Sequence, residues 1–290
     1  MIKLTAACRQ LALAALFSSV VTVQAQVSLS RSLTDPRKNS AIAPEVNFER
    51  DSYDWLHRHA DVLDAQKLGN PDIVLIGDSI THFWGGEPHA SQANGPKAWH
   101  ATFGSCRALN LGYGWDRTQN VLWRLAHGEF VGLSPKSIVL NIGTNNLVGD
   151  STARTNTPAE TEAGIEAILK VLRSRAPEAK IYVMAVFPRG FEIGNDLDNR
   201  ISELDEILSH RLKGLPNVTV LDIGSLLREP DGSISPRILS DGTHPTEAGY
   251  TIWGNALRNA GAIPNLSQAY GRQPANSRTS WQLIRVESTF

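Results

Sequence analysis

Short runs of apolar residues recur along the chain, and amphipathic stretches lie between them. The runs are four to seven residues long, and several of them are rich in β-branched side chains. Continuously apolar runs of this length are typical of parallel strands that are covered on both faces of a sheet. The predicted strands are Ile73–Ile76, Ala108–Leu111, Ser137–Leu140, Lys180–Val186 and Val218–Leu221.

The stretches between these runs have the periodicity of helices. Apolar residues repeat with helical spacing in 165–172 and again in 201–212. Thr157–Glu160 is typical of a capping box with proline at the first helical position, and Pro177 marks the end of that helix. Strands that alternate with helices predict an α/β fold in which helices cover both faces of a parallel sheet. Further helices are predicted over about Phe48–Lys67 and Pro245–Ala260.

The first 25 residues have the layout of a secretory signal peptide. Lys3 and Arg9 precede an apolar run from Leu11 to Val23, and the chain reaches a small residue, Ala25, as a cleavage point. The run is too short and wrongly flanked for a good membrane helix, although an uncleaved anchor is the alternative. The sequence therefore predicts a secreted or periplasmic protein with no membrane span once the signal is removed.

The remaining chain divides by composition into three parts. Residues 26–45 are polar and are expected to form a flexible leader, residues 46–264 a single folded domain, and residues 265–290 a tail without a predicted structure. Loss of the signal removes two positive charges and changes the formal charge from −1 to −3. This mild acidity gives no reason to expect nucleic acid as a partner. Cys106 would then be the lone cysteine, so no internal disulfide is expected.

Residues that suit acyl-transfer chemistry follow three of the predicted strands, at the end where open α/β sheets bind ligands. Ser79 follows the first strand and begins a helical segment, whose N-terminus favours negative charge. An ordinary N-cap serine is the alternative. Glycines at 112 and 114 let a backbone N–H approach a ligand, and Asn145 carries an amide that can donate to an oxyanion. Each of the last two is also compatible with a plain turn.

Asp241 and His244 are three residues apart, just before the predicted helix at Pro245. This spacing lets a carboxylate meet an imidazole, so that His244 serves as a base for a serine and Asp241 fixes its tautomer. A capping turn with a surface histidine is the alternative. The conjunction of a nucleophile, two donors and an acid–base pair favours a serine hydrolase over four separate coincidences.

These four blocks resemble the SGNH/GDSL hydrolases, and the resemblance extends over roughly residues 50–260. It is strongest to the branch that contains the catalytic subunits of platelet-activating-factor acetylhydrolase. The similar stretches are Leu109–Gly114, Val121–Leu125, Ile142–Asn146, Gly164–Ile168 and Phe187–Gly190. The resemblance implies a three-layer α/β/α sandwich of flavodoxin-like layout.

It also implies roles for five residues. Ser79 would be the nucleophile of a triad completed by Asp241 and His244, and the oxyanion hole would be formed by the backbone N–H groups of Ser79 and Gly112 and the side chain of Asn145. No cofactor and no metal are expected.

The expected reaction is hydrolysis of a small acyl ester through an acyl-enzyme, and export favours an O-acetylated carbohydrate as the substrate. Two alternatives stay open: a lipase- or lysophospholipase-like esterase for longer acyl chains, and a non-catalytic glycan-binding protein on the same fold. Trp84, Trp115 and Arg117 lie next to the predicted site in the sequence and are candidates to line its pocket.

Overall fold

The fold is given by a computed structural model, which describes residues 32–47, 53–150 and 152–264. The predicted signal peptide and the predicted tail lie outside these residues. Within them, no helix combines the length and the apolar character that crossing a bilayer requires.

The described residues contain a five-stranded sheet in which every pairing is parallel. Its strand order is β2-β1-β3-β4-β5, which is the flavodoxin-like order. The sequence located all five strands, but β4 is shorter than predicted, because only the Ala185 N–H continues its pairing beyond Met184 by donating to the Leu221 carbonyl at 2.9 Å. The strands are β1 (Ile73–Gly77), β2 (Ala108–Gly112), β3 (Ser137–Asn141), β4 (Lys180–Met184) and β5 (Val218–Leu221).

Helices cover both faces of the sheet, as the sequence predicted. The helices are α1 (Trp55–Lys67), α2 (Ser79–His82), α3 (Pro96–Phe103), α4 (Thr118–Ala126), α5 (Pro158–Arg175), α6 (Asp196–Arg211) and α7 (Glu247–Asn259). Alternate strand residues point to opposite faces. Val74 and Ile76 pack in a core with α1, α4, α5 and α6, whereas Ile73 and Leu75 pack in a core with α3 and α7. The result is the expected three-layer α/β/α sandwich.

The helix boundaries follow the capping residues. Thr157 and Glu160 form the predicted capping box, in which the Glu160 N–H donates to Thr157 Oγ1 at 3.1 Å and the Thr157 N–H donates to the Glu160 carboxylate at 3.0 Å. Helix α7 begins at Glu247 instead of Pro245, because Thr246 is its N-cap. Helix α1 begins at Trp55 after the Asp54 cap, so its described part is shorter than the predicted helix, and residues 48–52 lie outside the described residues.

The described part of the predicted leader is packed against the domain, which corrects the expectation of a flexible segment. Ala41 is buried in a short 3-10 helix, Ser40–Ile42, and its carbonyl accepts the Thr118 hydroxyl at 2.8 Å. The buried Asn39 side chain donates to the Glu160 carbonyl at 3.2 Å. Polar composition was a poor guide here because these polar groups form hydrogen bonds with the first turns of α4 and α5.

Candidate active site

Four of the five predicted site residues meet in the crevice beyond the carboxyl ends of β1 and β3, and Gly112 is not among the residues that line it. The order in which strands are added to the sheet reverses here, because β2 lies on one side of β1 and β3 lies on the other. Ligands bind at this kind of switch point in open α/β sheets. Ser79 follows β1, and Asn145 follows β3. The loop before α7 brings Asp241 and His244 to the same crevice.

A close approach of backbone shapes the turn that carries Ser79. A Cβ atom on Gly77 would lie 2.4 Å from the Asn141 carbonyl oxygen and 2.2 Å from Thr81 Oγ1, so only glycine fits between β1 and its neighbours. Asp78 then caps α2 by accepting the Ile80 N–H at 2.9 Å. Burial raises the pKa of Asp78 to about 7, although the Ile80 hydrogen bond opposes the rise. Ser79 is thereby held at the first position of α2.

Ser79, His244 and Asp241 form a continuous hydrogen-bonded chain. His244 Nε2 lies 2.9 Å from Ser79 Oγ, and Nδ1 lies 2.7 Å from Asp241 Oδ2. An ionised carboxylate can only accept, so Nδ1 carries the proton and Nε2 is left to accept from the Ser79 hydroxyl. Burial alone would raise the pKa of Asp241, but hydrogen bonds from the His244 backbone N–H and ring hold it below its ordinary value.

The loop that carries this pair is ordered by its own backbone. Asp241 Oδ1 accepts the backbone N–H groups of Thr243 and His244 at 3.0 and 2.8 Å. Gly242 has a left-handed φ of 76°, and its carbonyl accepts the Gly190 N–H at 2.8 Å. The Asp-x-x-His spacing therefore places carboxylate and imidazole in one tight turn.

The orientation of the Asn145 amide is set from two sides. Its Nδ2 donates to the Asp116 carbonyl at 3.1 Å, and its Oδ1 accepts from Arg189 Nη1 at 3.5 Å. A guanidinium can only donate and a carbonyl can only accept, so a flipped amide would lose both contacts. These contacts use one N–H of the Asn145 amide, and the residue lines the crevice.

Gly112 does not fit the expected place, because its N–H already donates to Asn110 Oδ1 at 2.9 Å. The N–H groups of Tyr113 and Gly114 are also engaged, with the Gly77 carbonyl and His82 Nδ1. Among the described residues, the Trp115 N–H has no partner. Trp115 has a left-handed φ of 62°. It lines the crevice, and Gly112 is not among the lining residues.

A buried ion pair holds this loop from below. Asp116 is fully buried, and its carboxylate accepts Arg124 Nε at 2.8 Å and the Trp55 indole N–H at 2.7 Å. Its carbonyl is the partner of Asn145 described above. Removal of one member of a buried pair leaves an uncompensated charge, so Asp116 ties the position of the loop to the core.

The crevice encloses a cavity of about 220 Å³. Of the three pocket candidates taken from the sequence, Trp115 lines it. Trp84 is buried in the core beside α7, and Arg117 pairs with Asp150. A larger cavity of about 820 Å³ lies along β2 and contains none of the predicted site residues. The lining residues of the crevice are Ser79, Phe83, Gln92, Trp115, Asn145, Arg189, Asp241, Thr243 and His244.

Sequence reasoning missed Arg189, Phe83, Gln92 and Thr243 as lining residues. Arg189 follows β4 within the stretch 187–190 that carries the family resemblance, so the rule applied to the ends of β1 and β3 would have found it. Gln92 lies in a loop without any local signal. Among the described residues, no group of three His, Cys, Asp or Glu side chains is arranged to hold a metal ion.

Known proteins share this sequence pattern. The profile of the GDSL-like lipase/acylhydrolase family matches residues 75–252. The chain belongs to this family. Platelet-activating factor acetylhydrolase IB subunit alpha2 of Rattus norvegicus is 35% identical over 196 residues, which cover 68% of this chain and 78% of that protein. Subunit alpha1 of the Homo sapiens protein is 32% identical over 205 residues, or 71% and 81% of the two chains. This acylhydrolase is a carboxylic ester hydrolase.

Solved structures of the family share the fold. A GDSL-like lipase from Bacteroides thetaiotaomicron superposes with a TM-score of 0.55 at 21% identity, covering 70% of the acylhydrolase and 95% of that chain. An acetylxylan esterase from Geobacillus stearothermophilus superposes with a TM-score of 0.53 at 17% identity, covering 69% and 99%. At these identities the likeness extends to the fold alone.

Proposed function

We propose that the acylhydrolase uses Ser79 as its nucleophile, His244 as its general base and Asp241 as the residue that orients the base. The observation that carries this assignment is the 2.9 Å contact between His244 Nε2 and Ser79 Oγ, in line with the 2.7 Å contact to Asp241. Ser79 and His244 are separated by 165 residues in the sequence, so only the fold brings them together.

The reaction proceeds in two halves. Ser79 Oγ attacks the ester carbonyl as His244 Nε2 takes its proton, and the tetrahedral intermediate then collapses as the alcohol leaves with that proton. Water attacks the acyl-enzyme, gives a proton to His244, and forms a second tetrahedral intermediate. Its collapse returns the proton to Ser79 and releases the acid. Asp241 stays ionised throughout and stabilises the imidazolium.

The oxyanion receives three hydrogen bonds in this proposal. The Ser79 backbone N–H and the Asn145 side chain keep the roles that the sequence predicted for them. The Trp115 backbone N–H takes the place of the Gly112 N–H, because the latter is engaged with Asn110. Loss of one such donor typically lowers kcat by about 10²- to 10³-fold.

The proposed substrate is a small acyl ester, namely a carbohydrate outside the cytoplasm that carries an O-acetyl group. A cavity of about 220 Å³ suits a short acyl group better than a long chain. The named relatives are acetylhydrolases, and one solved neighbour acts on acetylated xylan. Secretion or periplasmic location, which rests on the predicted signal peptide, belongs to this proposal too.

The test is a series of p-nitrophenyl esters from acetate to decanoate beside acetylated oligosaccharides. We expect kcat/KM to fall steeply beyond four carbons, and Ser79→Ala to lower kcat for acetate by about 10⁴-fold or more. Ser209→Ala, which removes an exposed hydroxyl on α6, is the matched control and should keep wild-type kinetics. A flat or rising series would indicate a lipase-like enzyme, and a folded protein without turnover would indicate a glycan-binding protein.

A further inference from the structure

Trp115 differs from the other tryptophans that the structure describes. Each of the others has a ring contact with a second aromatic side chain, and the Trp55 indole also donates to Asp116. Within the described residues, the Trp115 ring has no such contact and its indole N–H has no hydrogen bond. The side chain is 37% exposed and faces the cavity that contains Ser79 and His244.

The backbone at Trp115 favours a different residue. Its φ of 62° lies in the left-handed region, which glycine adopts freely and a bulky side chain adopts only at a cost in free energy. Glycine precedes it at position 114. Strain retained at a site of this kind points to a role for the side chain, because the backbone N–H alone would be supplied more cheaply by glycine.

Resting on the proposed function, we infer that the Trp115 indole is the platform on which a sugar ring of the leaving group stacks. A pyranose has apolar C–H faces and hydroxyl edges, so it matches a flat aromatic face beside hydrogen-bonding groups. The Gln92 side chain lines the same cavity and provides an amide for a hydroxyl. The platform is a property of this chain's own residue at position 115.

The composition of the cavity favours a sugar over a lipid chain. Phe83 and Trp115 are the apolar residues among the nine that line it, and the Phe83 ring already lies 5.5 Å from the His244 ring. The other seven are polar or charged. An acyl or alkyl chain would displace the water that hydrogen-bonds to these groups and would offer no hydrogen bonds in return. Sugar hydroxyls can take the place of that water.

The experiment compares the wild-type protein with Trp115→Phe, Trp115→Leu and Trp115→Ala. The substrates are a chemically acetylated xylo-oligosaccharide, ethyl acetate, and hexadecyl acetate in detergent micelles. We expect the ratio of kcat/KM for the oligosaccharide to kcat/KM for ethyl acetate to fall about three- to tenfold in the Leu and Ala variants, mainly through KM. The Phe variant should keep the ratio within about twofold. Phe191→Ala removes an exposed aromatic ring from the neighbouring cavity of about 440 Å³ and is the control.

Several outcomes overturn the inference. If the ratio of the two kcat/KM values is unchanged in Trp115→Ala, the platform does not exist. If the ratio is retained in Trp115→Leu, the contact is unspecific and apolar and does not depend on stacking. If kcat/KM falls selectively for hexadecyl acetate, the residue binds a lipid. Calorimetric titration of wild-type and Trp115→Ala protein with xylohexaose separates this inference from the proposed function. Protein that hydrolyses no ester contradicts the proposed function, while weaker xylohexaose binding by Trp115→Ala would still support the platform and equal binding would overturn it.

Discussion

Arg189 is the residue at which two sides of the crevice are joined. Its Nε donates to Thr243 Oγ1 at 3.1 Å in the loop of His244, and its Nη1 lies 3.4 Å from Thr144 Oγ1 and 3.5 Å from Asn145 Oδ1 beyond β3. Within the described residues it has no ion pair, and burial lowers its pKa, while Asp78 and Asp241 oppose that change. Arg189 therefore contacts both the Asn145 amide, the proposed oxyanion donor, and the histidine loop, and we expect it to position both.

Replacement of Arg189 should separate positioning from substrate binding. We expect Arg189→Ala to lower kcat by about 10- to 100-fold with KM changed only a few-fold, because a misoriented amide weakens the transition state more than the ground state. Added guanidinium ion should restore part of kcat. Arg237→Ala, at an exposed arginine outside the cavity, controls for the loss of one charge. A loss of activity that follows the fall in Tm and is not rescued would reduce Arg189 to a structural role.

Single residues differ in how far the sequence could predict them. Ser79, Asp241 and His244 were predictable as a constellation because each lies beside the end of an element, and parallel strands end at one edge of a sheet. Gly112 was predicted as a donor, but its N–H is engaged with the Asn110 side chain, a contact inside the loop that no spacing indicates, and for this reason the Trp115 N–H is proposed in its place. The left-handed backbone of Trp115 could not be predicted from the sequence either, since that conformation favours glycine.

At the scale of the element, the turn from β1 to α2 leaves no space for a side chain at Gly77. Gly77→Ala would place a methyl group against the Asn141 carbonyl of β3, which is backbone and cannot move aside cheaply. We expect the free energy of unfolding to fall by about 1–3 kcal/mol and activity to fall further, because Ser79 is two residues away. Urea unfolding beside p-nitrophenyl acetate hydrolysis measures both.

The control for this turn is Gly224→Ala, where the nearest atom to the new methyl group is the Asp222 carboxylate at 3.1 Å, the end of a movable side chain. It should alter the unfolding midpoint little and leave hydrolysis intact. Equal tolerance of both substitutions would show that the Gly77 contact relaxes, and that the turn does not fix Ser79.

Element boundaries were predictable where a capping residue announces them. The Thr157–Glu160 box placed α5 correctly, whereas α7 was placed two residues early because proline at position 245 was taken as its first residue. The helix begins after Thr246 because its hydroxyl accepts the N–H groups of Ala248 and Gly249 at 3.2 and 3.4 Å and so acts as the N-cap. The shift matters for the site, since it leaves His244 and Pro245 in the turn and outside the helix.

At the scale of the whole molecule, alternation of strands and helices predicted the layers, but the order of the strands required the resemblance to a known family. Nothing local in the apolar runs states that β1 lies between β2 and β3. That order alone decides which strand ends are neighbours, and hence that Ser79 and Asn145 face one crevice. Packing of the long-range core, not any single run, fixes it.

The stability of the whole molecule should depend on pH through carboxyl groups that folding buries. Burial raises the pKa of Asp78 and of Asp205 to about 7 and that of Asp116 to about 6. A carboxyl group whose pKa is raised in the folded protein does not reduce stability below pH 4, because it is protonated in both the folded and the unfolded state. As pH rises from about 4 to about 7, the group ionises first in the unfolded state, and the folded state loses stability. Asp241 acts in the opposite sense, because its lowered pKa costs stability only as pH falls below the ordinary range. These buried carboxyl groups lower stability as pH rises from about 4 to 7, whereas burial of His82, which lowers its pKa to about 2, lowers stability as pH falls below about 6.5.

Asp205 isolates this effect away from the crevice. It lies on α6, and its Oδ1 accepts the Val186 N–H at 2.7 Å just after β4, with Asp222 close enough to oppose ionisation further. Asparagine keeps the accepting oxygen and removes the charge. Asp205→Asn should thus match the wild type at pH 4.5 and exceed it at pH 8 by on the order of 1–2 kcal/mol in the free energy of unfolding, a figure reduced for solvent screening of a half-buried group.

Urea unfolding at the two pH values measures this difference, with Glu203→Gln on the exposed side of the same helix as the control. An equal gain at both pH values would mean that the asparagine packs better than the carboxyl in any charge state. A loss at pH 8 would mean that the buried carboxylate is stabilised by the Val186 N–H more than burial opposes it. Since the hydrogen bond persists in the variant while the charge does not, the sign of the change at pH 8 decides between these two forces.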